Sequence, residues 1–288
     1  MIHKHRDRLP NIECDYVIPV GAACRPAYWL KRCGLRTESL PFDWMMCFDF
    51  DMVLRTIDNG VNDWFTDFLD EPDKGAGAHR RVTSNKYGIV SLHAFPKKME
   101  VIDYLAIFNK LFTKRYLRMI EILRSKKDIC FICNRSLEPA DFEKFGCGIL
   151  QRFRCIQKLT IINIKNTDSN IGVNEYKLNS KIRLYDIHAK DIHKNGPDKV
   201  TNPAFWIGNE DLWIDICNHI KLRKRSTFLH WIFSVNRRNE YSSTVRLFGF
   251  KIKFTNKRLK HMLKLIESHQ QQIQSVQSQI DQLYKKYK

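Results

Sequence analysis

Residues 16–44, YVIPVGAACRPAYWLKRCGLRTESLPFDW, predict a strand, a turn and a helix around one cysteine. The apolar, β-branched run 16–20 is typical of a buried strand. Gly21 ends this run, and glycine tolerates sharp turns that other residues resist. Pro26 suits the first turn of a helix, where its missing N–H costs nothing. Cys24 is therefore expected at a strand-to-helix turn.

A cysteine at the start of a helix can be a nucleophile. The helix dipole and the neighbouring Arg25 are both expected to lower the thiol pKa of Cys24 and to favour the thiolate. The alternative is structural, because free cysteine is often buried and then behaves as a small hydrophobic residue.

The segment VGAACRPAYWLKRCGLRTESLPFDW resembles the opening of a bacterial family described as papain-like cysteine peptidases of unknown function. Its members begin with a strand, a Gly-Ser-Asn-Cys-like turn, a helix and a Pro-Phe-Asp-Trp motif. The last motif is intact at residues 41–44, whereas Ala22 and Ala23 replace a pair that is commonly polar. A polar side chain before the cysteine could have served as an oxyanion donor. The resemblance is specific over residues 14–50, extends to about residue 220, and implies a peptidase with Cys24 as nucleophile.

Composition favours one large domain with appendages, because the chain has 288 residues of which 43% are hydrophobic. The first residues, MIHKHRDRLP, lack the apolar core of a signal peptide. Nine cysteines form no regular framework, which indicates free thiols in a reducing compartment. We therefore expect a cytoplasmic protein.

Short apolar runs alternate with helical patterns along the first part of the chain. This alternation predicts an α/β fold with a central, mostly parallel sheet and helices on both faces, plus a C-terminal helix. The alternative, implied by the resemblance, is a papain-like α+β fold. Residues 87–95 are predicted as the second strand of the sheet, and the polar stretch 58–86 as a long surface loop.

In such folds, sites lie at the carboxyl ends of the strands. Cys24 follows the first strand, His93 lies near the end of the second, and Asn134 and Arg135 follow the third. We predict Cys24 as nucleophile, His93 as base and Asn134 as the group that orients the base. Arg25 and Arg135 are predicted to bind an anionic group. A histidine with a purely structural role in the strand is the alternative for His93.

Further candidates could complete the same site. Asp43 is a second candidate for orienting the base, unless it caps the next helix. Aspartate and histidine occur two residues apart twice, as Asp186 and His188 and as Asp191 and His193. On a strand, this spacing places both side chains on one face. Asp191 and His193 are therefore the alternative catalytic pair.

We expect no cofactor and no metal. The CxxC at residues 130–133 lies in the apolar run ICFIC, where a strand would point the two thiols to opposite faces. No second cysteine pair has zinc-finger spacing, and the aspartate and histidine cluster lacks the spacing of a specific metal.

The net charge of +18 is concentrated towards the C-terminus, where residues 221–264 hold thirteen basic residues and one acidic residue. Such a field attracts polyanions. No nucleic-acid motif accompanies it, so nucleic acid is not the expected partner. FSVNRRNEYSSTVRLFGFKIKF, residues 233–254, resembles a tail motif of bacterial lipopolysaccharide and capsule proteins. That resemblance implies a surface-polysaccharide pathway, and the basic, aromatic character of the segment suits peripheral docking at an anionic inner membrane.

Residues 257–288 repeat apolar positions every three and four residues over four heptads, which predicts a coiled coil and a homo-oligomer. The predicted organisation is an α/β domain over residues 1–225, a basic hairpin-like tail over 226–256 and the coiled coil. The first hypothesis is a cysteine-dependent hydrolase or acyltransferase whose substrate the sequence does not specify. The alternative is a non-peptidase polysaccharide-cluster protein that binds a sugar or nucleotide-sugar in the strand-end pocket.

Overall fold

The computed structural model describes residues 2–168, 171–196 and 204–223, and the backbone of three strands between residues 233 and 255. The chain divides into two units, residues 1–223 and 224–288. The helices are α1 (Arg25–Arg32), α2 (Phe50–Asn59), α3 (Val101–Arg124), α4 (Pro139–Arg152) and α5 (Glu210–Asn218). The strands of the first unit are β1 (Ile2–Arg6), β2 (Ile12–Cys14), β3 (Tyr16–Pro19), β4 (Met45–Met46), β5 (Phe68–Glu71), β6 (His79–Ser84), β7 (Val90–Pro96), β8 (Asp128–Cys133), β9 (Lys158–Asn166), β10 (Gly172–Lys177), β11 (Ile182–Ala189) and β12 (Ile220–Leu222).

The largest sheet has six strands in the order β1-β10-β11-β9-β8-β3. The strands β3, β8, β9 and β11 are parallel to one another. At one edge, β10 pairs antiparallel with β11, and β1 pairs antiparallel with β10. All six residues of β8 are buried. Such a continuous apolar run is typical of a strand that is covered on both faces.

The two faces of this sheet belong to different hydrophobic clusters. Ile129 and Phe131 of β8 pack in a cluster with residues of α2, α3 and α4, while Cys130 and Ile132 pack with residues of α1 and α5. Successive side chains of a strand point to opposite faces, so one strand contributes to both clusters. The parallel strands thus lie between two layers of helices, and their carboxyl ends share one edge.

A second sheet has four antiparallel strands in the order β4-β7-β6-β5. It contains β7, which we expected in the parallel sheet, and two strands from the stretch predicted as a long loop. The loop prediction was wrong because buried positions of β6 carry polar residues. Arg80 is buried there and pairs with Asp70 of β5.

The second unit contains a three-stranded antiparallel sheet of β13 (Phe233–Asn239), β14 (Ser242–Leu247) and β15 (Phe250–Thr255). The sequence predicted two strands here, and the polar stretch taken as their turn instead lies largely within β13 and the start of β14. The predicted coiled coil at 257–288 lies outside the described residues. Among the helices that the structure describes, none combines the length and apolarity needed to cross a membrane.

Candidate functional site

Cys24 is the residue that immediately precedes α1, at the carboxyl end of β3. The amide of Tyr28 donates to the Cys24 carbonyl over 3.0 Å, which closes the first turn of the helix. The turn before it is tightly packed. A Cβ at Gly21 would lie 2.5 Å from Pro26 Cγ and 2.6 Å from Asn134 Oδ1, so only glycine fits.

Burial controls the chemistry of the Cys24 thiol, which is 5% exposed. Burial raises the pKa of Cys24 to about 12, although its own backbone amide acts in the opposite direction, and nearby Cys47 raises it slightly further. We expected a lowered pKa, and the structure reverses that direction because desolvation of the thiolate outweighs the favourable end of the helix. In this state the thiol is protonated at neutral pH.

Arg25 does not assist the thiol, because other groups occupy its guanidinium. It forms an ion pair with Asp191, and its Nε donates to the Trp206 carbonyl over 2.7 Å. The other carboxylate oxygen of Asp191 accepts hydrogen bonds from the Asn209 amide and the Trp213 indole. Arg25 was predicted to bind an anion and Asp191 to be an alternative catalytic residue. The structure instead shows an ion pair between them.

The other aspartate and histidine candidates lie on β11 and in the segment that follows it. His193 is buried, and its Nδ1 accepts a hydrogen bond from the Asn195 amide over 3.2 Å. His188 Nε2 and Asp186 Oδ2 are 2.9 Å apart, as their spacing predicted. The second oxygen of Asp186 accepts from Asn163 Nδ2, which ties this pair to the neighbouring strand.

Arg135 also has a structural role. It is buried, and two of its guanidinium nitrogens donate to the Val20 carbonyl at 3.1 and 3.0 Å. The rings of Phe48 and Phe50 lie 5.2 and 4.7 Å from its guanidinium carbon. Burial lowers the pKa of Arg135. The residue therefore fixes the end of β3, which leads into the Cys24 turn.

Asn134 lies beside the Cys24 turn, as its position after β8 predicted. Its Oδ1 is buried and has no hydrogen-bond partner among the described residues. This oxygen faces Gly21 rather than a histidine. The structure therefore brings Asn134 to the turn of Cys24, but shows no hydrogen bond from it to His93 within the described ranges.

His93 lines a cavity of about 800 Å³ next to α1. Three aromatic side chains, those of Tyr28, Trp44 and Trp206, form its apolar walls, and Lys31, Arg32 and Arg115 add positive charge. We call this cavity the basic pocket. Tyr28 and Lys31 follow Cys24 by four and seven residues, so all three share one face of α1. Cys24 itself is not among the lining residues.

His93 sits on β7 with its ring edge against Trp44, at a centroid distance of 5.5 Å. Burial, and to a smaller extent the charge of His79, lowers the pKa of His93. His93 is therefore neutral at pH 7 and can accept a proton. Within the described ranges, no hydrogen bond joins it to Cys24.

Asp43 of the Pro-Phe-Asp-Trp motif is fully buried behind the basic pocket. Its Oδ2 accepts a hydrogen bond from the Leu40 amide over 3.1 Å and lies 3.4 Å from Arg36 Nη1. Burial raises the pKa of Asp43 to about 6, against the opposing charges of Arg36 and Arg115. It neither orients His93 through a described hydrogen bond nor caps α2, because Asp49 caps that helix through the Met52 amide.

Most residues of the basic pocket were not predicted from the sequence. The spacing of Tyr28, Lys31 and Arg32 from Cys24 on one helix face was a usable signal. Arg115 lies on α3, and Trp206 lies between β11 and α5. Both are far from Cys24 in the sequence, and no local pattern indicates that they line the same pocket. In the part of the chain that the structure describes, no three His, Cys, Asp or Glu side chains gather as metal ligands.

Comparisons with known proteins support the family resemblance over part of the chain. Residues 15–141 match a family described as "Putative papain-like cysteine peptidase (DUF1796)". "Uncharacterized protein R408" of Acanthamoeba polyphaga mimivirus is 29% identical over 133 residues, which cover 40% of this chain and 59% of the viral protein. No solved structure matches the chain significantly. The segment that is similar to this family contains Cys24, His93 and Asn134.

Proposed function

We propose that this protein is a cysteine-dependent hydrolase in which Cys24 is the nucleophile and the basic pocket holds the substrate. The observation that carries the proposal is the position of Cys24 at the carboxyl end of β3. The pocket residue Tyr28 lies one turn further along the same helix face. The family match over residues 15–141 supports the same chemistry.

The protonation states suit general-base catalysis. A protonated Cys24 thiol and a neutral His93 are the reactants of a proton transfer from Sγ to the imidazole. Sγ would then attack an acyl carbon, the leaving group would take the proton from His93, and water would release the acyl group. Catalytic hydrogen bonds often form only in the substrate complex, so the absence of a described contact between the two residues is compatible with this step.

An activated ester tests the proposal without knowledge of the natural substrate. Incubation with p-nitrophenyl acetate should add one acetyl group to Cys24, as located by peptide mass spectrometry. His93→Gln should slow this acylation by about a hundredfold, the lower range for a general base. His5→Gln, which replaces an exposed histidine on β1 outside the basic pocket, is the matched control and should leave the rate unchanged. Acylation confined to other residues, at equal rates in Cys24→Ala, would contradict the proposal.

The second candidate is a non-catalytic binding protein that uses the same pocket. Burial raises the pKa of Cys24 to about 12, which favours this candidate, because a thiol that is protonated at neutral pH is a weak nucleophile unless a base removes its proton. In that case Cys24→Ala would bind the pocket ligand as the unmodified protein does. A connection to surface polysaccharides is a further hypothesis, supported only by the tail motif at residues 233–254.

A further inference from the structure

We infer that the basic pocket binds a phosphorylated ligand that carries a flat ring, with the phosphate at Arg115 and Lys31 and the ring between the aromatic walls. This inference names the substrate class for the proposed function and rests on it only in identifying the ligand as a substrate. It stands on three features of the pocket: its unpaired cations, its aromatic side chains and its size.

The first feature is positive charge without counter-ions. Among the described residues, the guanidinium of Arg115 forms no hydrogen bond or ion pair, and its carbon lies 4.5 Å from the Phe112 ring centre. The side-chain ammonium of Lys31 likewise has no hydrogen bond or ion pair in those ranges. Arg32 differs, because it pairs with Glu210 over 2.7 Å and donates to the Tyr28 hydroxyl. Two cations are therefore available to an anionic ligand.

The arrangement around Arg115 favours a free guanidinium. Burial lowers the pKa of Arg115, and the charges of Arg36 and Arg118 act in the same direction, whereas Asp43 opposes them. Oδ2 of Asp43 is bound by Arg36 and the Leu40 amide, and among the described residues no hydrogen bond or ion pair joins Arg115 to either oxygen of Asp43. A planar guanidinium that is partly desolvated and lacks a bidentate acceptor matches a phosphate group well.

The second feature is aromatic surface. Tyr28 and Trp206 meet edge to face with centroids 4.9 Å apart, and Trp44 stands against His93 on the β7 side. Aromatic side chains of this kind can stack on the flat face of a nucleobase. The third feature, a volume of about 800 Å³, lies within the usual range for sites of small molecules and cofactors.

Calorimetric titration of the full chain carrying Cys24→Ala tests the inference, with four probes that separate ring from phosphate. ADP should bind at least about tenfold more tightly than adenosine, which lacks the phosphates, and than ribose 5-phosphate or inorganic phosphate, which lack the base. Equal affinity for ADP and adenosine would overturn the role of the cations. Equal affinity for ADP and inorganic phosphate would overturn the role of the ring.

Variants locate the binding. Arg115→Met keeps the apolar stem over Phe112 and should weaken ADP binding by at least about tenfold. Lys114→Met removes an adjacent charge outside the pocket and should change nothing. If Arg115→Met does not fold, Lys31→Met on the surface of α1 provides the same test. ADP binding that neither pocket variant alters would overturn the inference, since it would then occur elsewhere on this basic chain.

The two proposals can fail separately. ADP binding by Cys24→Ala is independent of the nucleophile, whereas acylation of Cys24 by p-nitrophenyl acetate is independent of the ligand. ADP binding without acylation of Cys24 would support the proposed ligand of the basic pocket and contradict the proposed hydrolase. Acylation of Cys24 without ADP binding would support the hydrolase and contradict the proposed ligand.

Discussion

Arg36 forms an ion pair with the buried Asp43 behind Trp44, with 3.4 Å between Arg36 Nη1 and Asp43 Oδ2. The guanidinium carbon of Arg36 lies 5.9 Å from the Trp44 ring centre. The Asp43 carboxylate has one oxygen bonded and one buried oxygen without a partner in the described residues. This incomplete solvation explains why its pKa is raised despite a neighbouring cation.

The first prediction concerns the pH dependence of stability. Because the pKa of Asp43 rises to about 6 on folding, the native state binds a proton more tightly than the unfolded state between about pH 4 and 6. This stabilising contribution is complete below pH 4 and is lost as the pH rises through 6. Relative to Asp43→Asn, the unmodified protein should lose on the order of 2–3 kcal/mol of unfolding free energy between pH 4 and 7.

Urea unfolding of both proteins at several pH values measures this difference, in which the contributions of all other titrating groups cancel. The side-chain carbonyl introduced by Asp43→Asn should still accept from the Leu40 amide, so the turn is expected to remain intact in the variant. The raised pKa of Asp43 would be contradicted if the difference in unfolding free energy between the two proteins did not change with pH. It would also be contradicted if the unmodified protein became relatively more stable as the pH rises.

The second prediction concerns thiol reactivity in the ligand-free protein. Cys47 is exposed and its amide donates to the Ala22 carbonyl, whereas Cys24 is buried with a pKa of about 12. Iodoacetamide at pH 7 should therefore modify Cys47 well before Cys24, by at least about tenfold in rate. Peptide mapping over time gives both rates in one sample, and faster labelling of Cys24 would mean that its thiolate is stabilised after all.

Local sequence patterns correctly predicted structure that depends only on residues close together in the chain. The strand, glycine and proline around Cys24 form the expected turn before α1. The α/β class is our interpretation of the layers around the parallel strands. The sheet that contains His93 was not predicted. The side chains of its strand β6, HRRVTS, alternate between buried and partly exposed positions, but the buried positions are not consistently apolar.

The candidate site was predicted less well, because its pairings are long-range. Arg25 contacts Asp191 across 166 positions of sequence, so no local pattern could show that two proposed functional residues neutralise each other. The direction of the Cys24 pKa shift likewise depends on burial, which tertiary packing determines. The sequence indicated that Cys24 lies at the end of a helix that favours a thiolate. It did not indicate that the surrounding residues bury the thiol and raise its pKa.

The third prediction concerns the close packing of Gly21. Gly21→Ala should force the Cys24 turn away from Pro26 and Asn134, at a cost of about 1–3 kcal/mol in unfolding free energy. It should also raise the rate of Cys24 alkylation, because the displaced turn exposes the thiol. Gly34→Ala is the control at the other end of α1, where φ is +72° and no atom lies within 4 Å of the added Cβ. That variant should cost about 1–2 kcal/mol through backbone strain alone and leave Cys24 labelling unchanged.

The fourth prediction separates a structural from a catalytic role for Asp191. Its carboxylate is the common acceptor for Arg25, the Asn209 amide and the Trp213 indole, and Gly208 leaves it room because a Cβ there would lie 2.2 Å from Asp191 Oδ1. Asp191→Ala removes the counter-ion of the partly buried Arg25 guanidinium and the acceptor of the Asn209 amide and the Trp213 indole, so it should cost about 3–5 kcal/mol of unfolding free energy.

Asp191→Asn keeps one acceptor oxygen and should therefore cost less than Asp191→Ala. For a structural role, both variants, while folded, should retain the rate at which p-nitrophenyl acetate acylates Cys24. The decisive measurement pairs urea unfolding with that acylation rate, normalised to the folded fraction. If Asp191→Asn were as stable as the unmodified protein but lost acylation, Asp191 would belong to the catalytic machinery, and the base opposite Cys24 would have to be sought near His193 rather than at His93.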